Sequence, residues 1–217
     1  RGPFFAVSTR HFAKNVTARS APHRRIGEAK NPGHGLGRVD PPLEPGTLPM
    51  FTDGSGGTDG PGRAAGPALR ASSQAGWGVY VDTRANSAEP RRGFEMCGPV
   101  DTELPSKNRN GLAEISAVAR AVLYIRAHLV RLGDAFVLEE DGVRVTPPFR
   151  RVRVYTDSEF AEKATTAEYC VHSPGCREVW LELLEDLDVL EQQWGLPVSS
   201  SWVKGHAGIF GNERADR

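Results

Sequence analysis

Ser201-Trp202-Val203-Lys204-Gly205-His206-Ala207-Gly208-Ile209-Phe210-Gly211-Asn212-Glu213-Arg214-Ala215-Asp216 is the stretch from which the fold of this 217-residue chain can be worked out. It reads as the end of a strand running from Pro197 to Val203, then a glycine-flanked loop carrying His206, then the start of a helix carrying Asp216. Gly205 and Gly208 give that loop conformational freedom, so the imidazole sits on a mobile segment ahead of a carboxylate.

Three further carboxylates stand upstream in contexts that expose and aim them. They are Asp53 in Phe51-Thr52-Asp53-Gly54-Ser55, Glu114 in Asn110-Gly111-Leu112-Ala113-Glu114, and Asp157 in Tyr155-Thr156-Asp157-Ser158. Each has an ordinary local explanation. Asp53 before Gly54 suits an Asx-type turn. Asp157 suits the N-cap or first turn of a helix, and Glu114 a first turn favoured by the helix dipole. His206 taken alone is a surface-loop histidine. Taken together, four convergent carboxylates and one mobile histidine suit phosphodiester hydrolysis with two metal ions, which activate water and stabilise the leaving oxygen. Mg²⁺ is a hard cation that prefers oxygen ligands and retains several waters.

The elements around these residues follow from periodicity. Pro49 to Ser55 is a short first strand presenting Asp53. Gly76-Trp77-Gly78-Val79-Tyr80-Val81 alternates as a second, and Gly93 to Cys97 makes a third. Gly111 to Arg131 is a helix with Leu112, Ile115, Val118, Ala119, Val122, Leu123 and Leu129 on one face and Glu114 in its first turn. Val152 to Thr156 is a buried strand delivering Asp157, and a short helix starts at Ser158. Arg177 to Trp194 is a second long helix, with Trp180, Leu183, Leu184, Leu187, Leu190 and Trp194 on one face. Residues 56–73 and 133–149 read as insertions, the second as a hairpin pairing Phe136-Val137-Leu138 with Val143-Arg144-Val145. The order βββαβαβα predicts an α/β fold. Its mixed five-stranded sheet has three antiparallel strands followed by parallel ones, flanked by helices on both faces.

These four segments, in this order, resemble the catalytic domain of type 1 ribonuclease H, over about Pro49 to Arg217. The resemblance implies a ribonuclease H-like fold and an endonuclease that cuts the RNA strand of RNA/DNA hybrids. It implies two Mg²⁺ ions, for which Mn²⁺ can substitute, held by Asp53, Glu114, Asp157 and Asp216. In that scheme Asp53 bridges both ions, Glu114 and Asp157 each favour one, and Asp216 completes the water-side site. His206 moves protons and assists product release. Asn110 matches the family's minor-groove asparagine, Glu114 accepts from a 2′-hydroxyl, and Gly54 and Ser55 present backbone groups there. Asn212 matches an asparagine near the active site. Arg109 stands where the family has a threonine that binds a DNA phosphate, which makes Ser106, Lys107 and Arg109 a phosphate-binding candidate.

The composition sets further bounds. Formal net charge is zero, yet residues 1–48 hold eight Lys/Arg against three Asp/Glu, and residues 49–217 hold 19 against 24. Residues 1–48 are rich in Arg, Pro and Gly and read as a disordered arm or a mitochondrial targeting segment. An acidic nuclease domain is unexpected, because phosphate contacts supply most nucleic-acid affinity. Clustered metal-binding carboxylates explain part of the deficit, and the basic arm or a partner supplies the rest. Cys97, Cys170 and Cys176 make no disulfide or zinc pattern and read as reduced thiols. No run of 18 apolar residues exists, so no membrane span is expected. A free monomer in mitochondria or nucleus fits these numbers.

Two departures from the family keep a second reading open. The segment 177–194 carries Glu178, Glu182, Glu185, Asp186, Asp188 and Glu191 where some relatives have a basic protrusion. The chain ends one residue after Asp216, where the family continues its helix, and so short a helix is marginal in water. That predicts a loosely held Asp216. Both features suit a non-catalytic module of a larger nucleoprotein assembly, and the complete set of acids counts against it.

Overall fold

The computed structural model describes residues 25–26, 41–56, 75–84, 89–100 and 108–216, with side chains from residue 41 onward. The readings of the rest of the N-terminal segment, of nearly all of the 56–73 insertion, and of Ser106 and Lys107 lie outside the described residues. In chain order the strands are β1 (Arg25–Ile26), β2 (Thr47–Ser55), β3 (Gly76–Asp82), β4 (Gly93–Pro99), β5 (Leu129–Leu132), β6 (Ala135–Glu140), β7 (Val143–Arg144), β8 (Arg151–Thr156) and β9 (Val198–Trp202). The helices are α1 (Arg109–His128), α2 (Glu159–Thr165), α3 (Pro174–Asp188) and α4 (Phe210–Ala215). A wider, π-type turn over Val189–Gln193 extends α3.

The main sheet has the order β1-β4-β3-β2-β8-β9. The antiparallel meander β2-β3-β4 and the parallel pair β8-β9 are the five strands expected from sequence, and β1 adds a two-residue edge against β4. β8 lies parallel to β2 because α1 and its following hairpin carry the chain across the sheet between them. Leu48, Met50, Val79, Val81, Val152 and Val154 line the sheet face under α1 and are almost fully buried. Leu112, Ile115, Val118, Val122 and Ile125 of α1 meet them there. Each such side chain contributes about 1.5–3 kcal/mol of burial. On the opposite face Phe51, Tyr80 and Tyr155 pack with Val203, Phe210 and Ala215 of the last loop and α4.

Three expectations need correction. First, α1 starts two residues before Gly111, because the Asn108 side chain accepts from Gly111 N–H at 2.9 Å and caps the helix. Glu114 therefore lies in the second turn, beyond the stretch where a helix dipole favours acids, and that explanation of the residue lapses. Second, Leu129 does not extend the helix. It takes an extended conformation and opens β5, which turns at Gly133 (φ 60°) and pairs with β6, Leu129 opposite Leu138. Third, α4 begins at Phe210, so Asp216 comes six residues later, beyond the first turn of that helix.

The 133–149 insertion does form the expected hairpin. β6 and β7 are joined by Asp141 (φ 48°) and Gly142 (φ 76°), the left-handed pair that two-residue hairpin turns require. β5 makes it three-stranded, and Phe136, Leu138 and Phe149 enter the main core. The acids of α3 are partly structural. Asp186 pairs with Arg126 of α1 with both side chains largely shielded, and Arg120 of α1 faces Glu182. Trp180 packs on the core and donates through Nε1 to the Ala164 carbonyl at 2.8 Å, as its spacing suggests.

The contact between β2 and α1 is too close for any residue but glycine at position 54. A Cβ there would sit 2.2 Å from the Glu114 backbone nitrogen and 2.3 Å from the Ala113 carbonyl carbon. Gly54→Ala is expected to destabilise the fold by about 3 kcal/mol or more, since rigid backbone must move. A melting temperature lowered by roughly 6–12 °C checks this, and an unchanged one contradicts it.

Candidate active site

The register of the central strands places the first two acids. Thr52 of β2 lies opposite Thr156 of β8, so Asp53 and Asp157 follow at equivalent positions on neighbouring parallel strands. Asp53 is inside the strand, opposite Gly78 of β3, and accepts from Gly54 N–H at 2.7 Å, so it is not a turn residue. Asp157 is not the cap of α2 either. Ser158 takes that role, accepting from Ala161 N–H at 3.3 Å, and Asp157 is left for other work. Glu114 arrives from α1 across the Gly54 contact.

One carboxylate oxygen from each of Asp53, Glu114 and Asp157 lies within 4.8 Å of the others, and no other group of acids, cysteines or histidines among the described residues does this. Cys97 and Cys170 are exposed and Cys176 is buried, none of them in a disulfide. Asp216 is exposed at the rim, beside Asp53 but outside the tight trio. Gly78 lets it approach: a Cβ there would collide with the Ala215 carbonyl oxygen at 1.9 Å. His206 is exposed on its loop at φ 50°, with Nδ1 3.9 Å from the Asp216 carboxylate.

The loop after β9 cages Asp157. Asn212 donates to its carboxylate at 3.1 Å, Trp202 Nε1 donates to its backbone carbonyl at 3.0 Å, and Gly205 leaves space that a Cβ would fill 2.4 Å from Oδ2. Asn212, expected among nucleic-acid contacts, is only 2% exposed and faces this acid. Its role and that of Trp202 depend on contacts between residues 55 and 45 positions apart, for which the local sequence carries no signal. Asn110 is exposed and its side-chain oxygen accepts from Gly56 N–H at 3.3 Å, tying the end of β2 to the start of α1. Arg109 is exposed at the first position of α1. A groove of about 530 Å³ runs from Asp53, Ser55 and Asp216 along Trp77, Cys97 and Gly98.

Electrostatics make the trio costly. Burial, then repulsion from Asp157 and Asp216, pushes the Asp53 carboxyl up to about 7. Burial, then repulsion from Asp53 and Asp157, pushes Glu114 up to about 8. Glu114 Oε2 is buried without a hydrogen-bond partner. An all-oxygen donor set of mutually repelling carboxylates with an orphaned buried oxygen is the environment a hard divalent cation would satisfy, so these residues fit one.

A model of the RNase H family matches residues 45–217. Ribonuclease H of Methylobacillus flagellatus is 45% identical over 75 residues, which is 30% of this chain and 46% of that protein. The match thus spans about half the length of that curated relative. Among solved structures, the RNase H1 of the halophilic archaeon Halobacterium salinarum is similar with a TM-score of 0.43 and 18% identity, over 79% of this chain and 92% of that one. An RNase H1 solved in complex with an RNA/DNA hybrid gives a TM-score of 0.41 and 17% identity, over 78% and 94%.

The raised carboxyls predict how stability depends on pH without divalent cations. In the unfolded chain both acids release their protons near their ordinary values of 3.8 and 4.5, whereas the folded protein holds them to about 7 and 8. Between these limits the folded state binds more protons, so stability falls as pH rises, and the loss is complete above about pH 8. Glu182 on α3, raised to about 7, acts in the same direction. Glu114→Gln is expected to flatten the fall in melting temperature between acidic and alkaline buffer. A wild-type curve that rises across this window, or one that Glu114→Gln leaves unchanged, contradicts the assignment.

Proposed function

The chain belongs to the ribonuclease H family, and from that premise we propose that it hydrolyses the RNA strand of RNA/DNA hybrids, using Mg²⁺ ions held by Asp53, Glu114, Asp157 and Asp216. The observation that carries the proposal is the convergence of Asp53, Glu114 and Asp157 within 4.8 Å at the ends of two parallel strands and on the helix packed across them. Bound there, divalent cations would supply an activated water and charge stabilisation for the leaving oxygen.

The chain's own residues do the remaining work. Asn212, Trp202 and the space at Gly205 fix Asp157. The short approach of α1 at Gly54 fixes Glu114 against Asp53. Exposed His206, with Nδ1 3.9 Å from the Asp216 carboxylate, is placed to pass protons between the site and solvent. Exposed Asn110 and Ser55 supply donors and acceptors suited to an RNA 2′-hydroxyl, the group that separates RNA from DNA, whereas Gly54, expected to join them, is buried against α1 with its N–H given to Asp53. An assembly module that only binds has no use for three carboxylates held together against their repulsion, so the acid trio favours catalysis.

Labelled RNA/DNA hybrid incubated with Mg²⁺ tests the proposal, beside duplex DNA and duplex RNA. The RNA strand of the hybrid is expected to be cut and the other duplexes spared. Asp157→Asn is expected to lower the rate by roughly a hundredfold or more, since even residues that merely support a metal ligand cost 10–100-fold. Hybrid that is bound but left intact contradicts the catalytic reading.

A further inference from the structure

We propose that Trp202, Lys204 and His206 form a contact strip for the strand being cut, and that Trp202 also holds the backbone of Asp157; the strip rests on the ribonuclease reading above. Trp77, Trp180 and Trp194 all pack against the main core, whereas Trp202 joins neither apolar cluster and is 53% exposed. An indole gains heavily from burial, so an exposed one is a costly placement. The ring is nonetheless held. Its Nε1 donates to the Asp157 carbonyl at 3.0 Å, and its register partner is Thr156, the residue just before that acid.

Beyond Trp202 the chain alternates. Val203 turns inward beside Phe51, Tyr155 and Phe210, while Lys204 and His206 are exposed again. The strip ends where His206 comes within 3.9 Å of Asp216. A fixed aromatic face followed by an ammonium and an imidazole matches how proteins grip a nucleic-acid strand: the ring stacks on a base, the Lys204 ammonium answers a phosphate, and the imidazole offers a hydrogen-bonding edge. The strip also bears on the charge deficit of residues 49–217, where 19 basic residues face 24 acidic ones. It adds an exposed ammonium two residues beyond the ring that is bonded to Asp157. Trp202 is a positioning residue for Asp157 through its N–H and a substrate contact through its face, and the two roles separate by substitution.

Steady-state cleavage of an RNA/DNA hybrid by the wild type, Trp202→Phe, Trp202→Ala and Lys204→Gln tests the strip, with melting curves for each. Trp202→Ala is expected to raise KM about tenfold, the scale of one lost stacking contact. Trp202→Phe keeps a ring but loses the N–H, so kcat falls severalfold while KM moves by less than about twofold. Lys204→Gln is expected to weaken hybrid binding and to reduce the slope of log K against log salt by about 0.7–0.9. If Trp202→Ala fails to fold, the kcat–KM split of Trp202→Phe and the salt slope of Lys204→Gln decide. Wild-type KM in folded Trp202→Ala, or an unchanged slope in Lys204→Gln, overturns the strip while the ribonuclease reading stands. A wild type that neither binds nor cuts the hybrid overturns both.

Discussion

Repulsion among Asp53, Glu114 and Asp157 is the constraint around which this structure is arranged. Three carboxylates share a partly buried space, with one oxygen of each within 4.8 Å of the others. In the absence of a cation the molecule meets this cost by retaining protons, which is why Asp53 and Glu114 resist ionisation. Such a site stores free energy that a divalent cation releases on binding, because the opposite charge and new oxygen contacts replace both the protons and the repulsion.

The surrounding fold supplies the rigidity that this arrangement demands. Parallel pairing of β2 and β8 sets two acids side by side, and the α1 core face locks the third at a distance fixed by Gly54. α4 is anchored through Phe210 and Ala215 in the aromatic cluster of the second sheet face. It delivers both Asn212 to the interior and Asp216 to the rim. The position of Asp216 outside the tight trio, beside exposed His206, leaves the solvent side of the site its least confined part.

Much of this was legible in the sequence because Asp53 lies near the end of β2 and Asp157 directly follows β8. Val152 to Thr156 could only be a buried strand, so Asp157 had to emerge at its tip, and the alternation around Phe51 and Tyr80 likewise fixed the meander. What was not legible depended on competition between local and distant contacts. Leu129 fits the α1 periodicity as well as it fits a strand, and the pairing with Leu138 decides for the strand. Asn108 outcompetes Gly111 as the start of α1 because its side chain can cap. The acids of α3 read from sequence only as a departure from the basic protrusion of some relatives, yet Asp186 is only 9% exposed and pairs with Arg126. Asn212 reads by resemblance as an asparagine near the active site, and only the folded loop turns its amide toward Asp157.

Binding of Mn²⁺ to the protein without substrate, followed by electron paramagnetic resonance at pH 8 in the wild type and in Glu114→Gln, tests the central claim most directly. The account predicts that the wild type removes free Mn²⁺ signal, that acidification returns it as Asp53 and Glu114 regain their protons, and that Glu114→Gln loses most of the binding while remaining folded. A wild type whose Mn²⁺ binding is absent, or is indifferent both to pH and to the loss of the Glu114 charge, would contradict it.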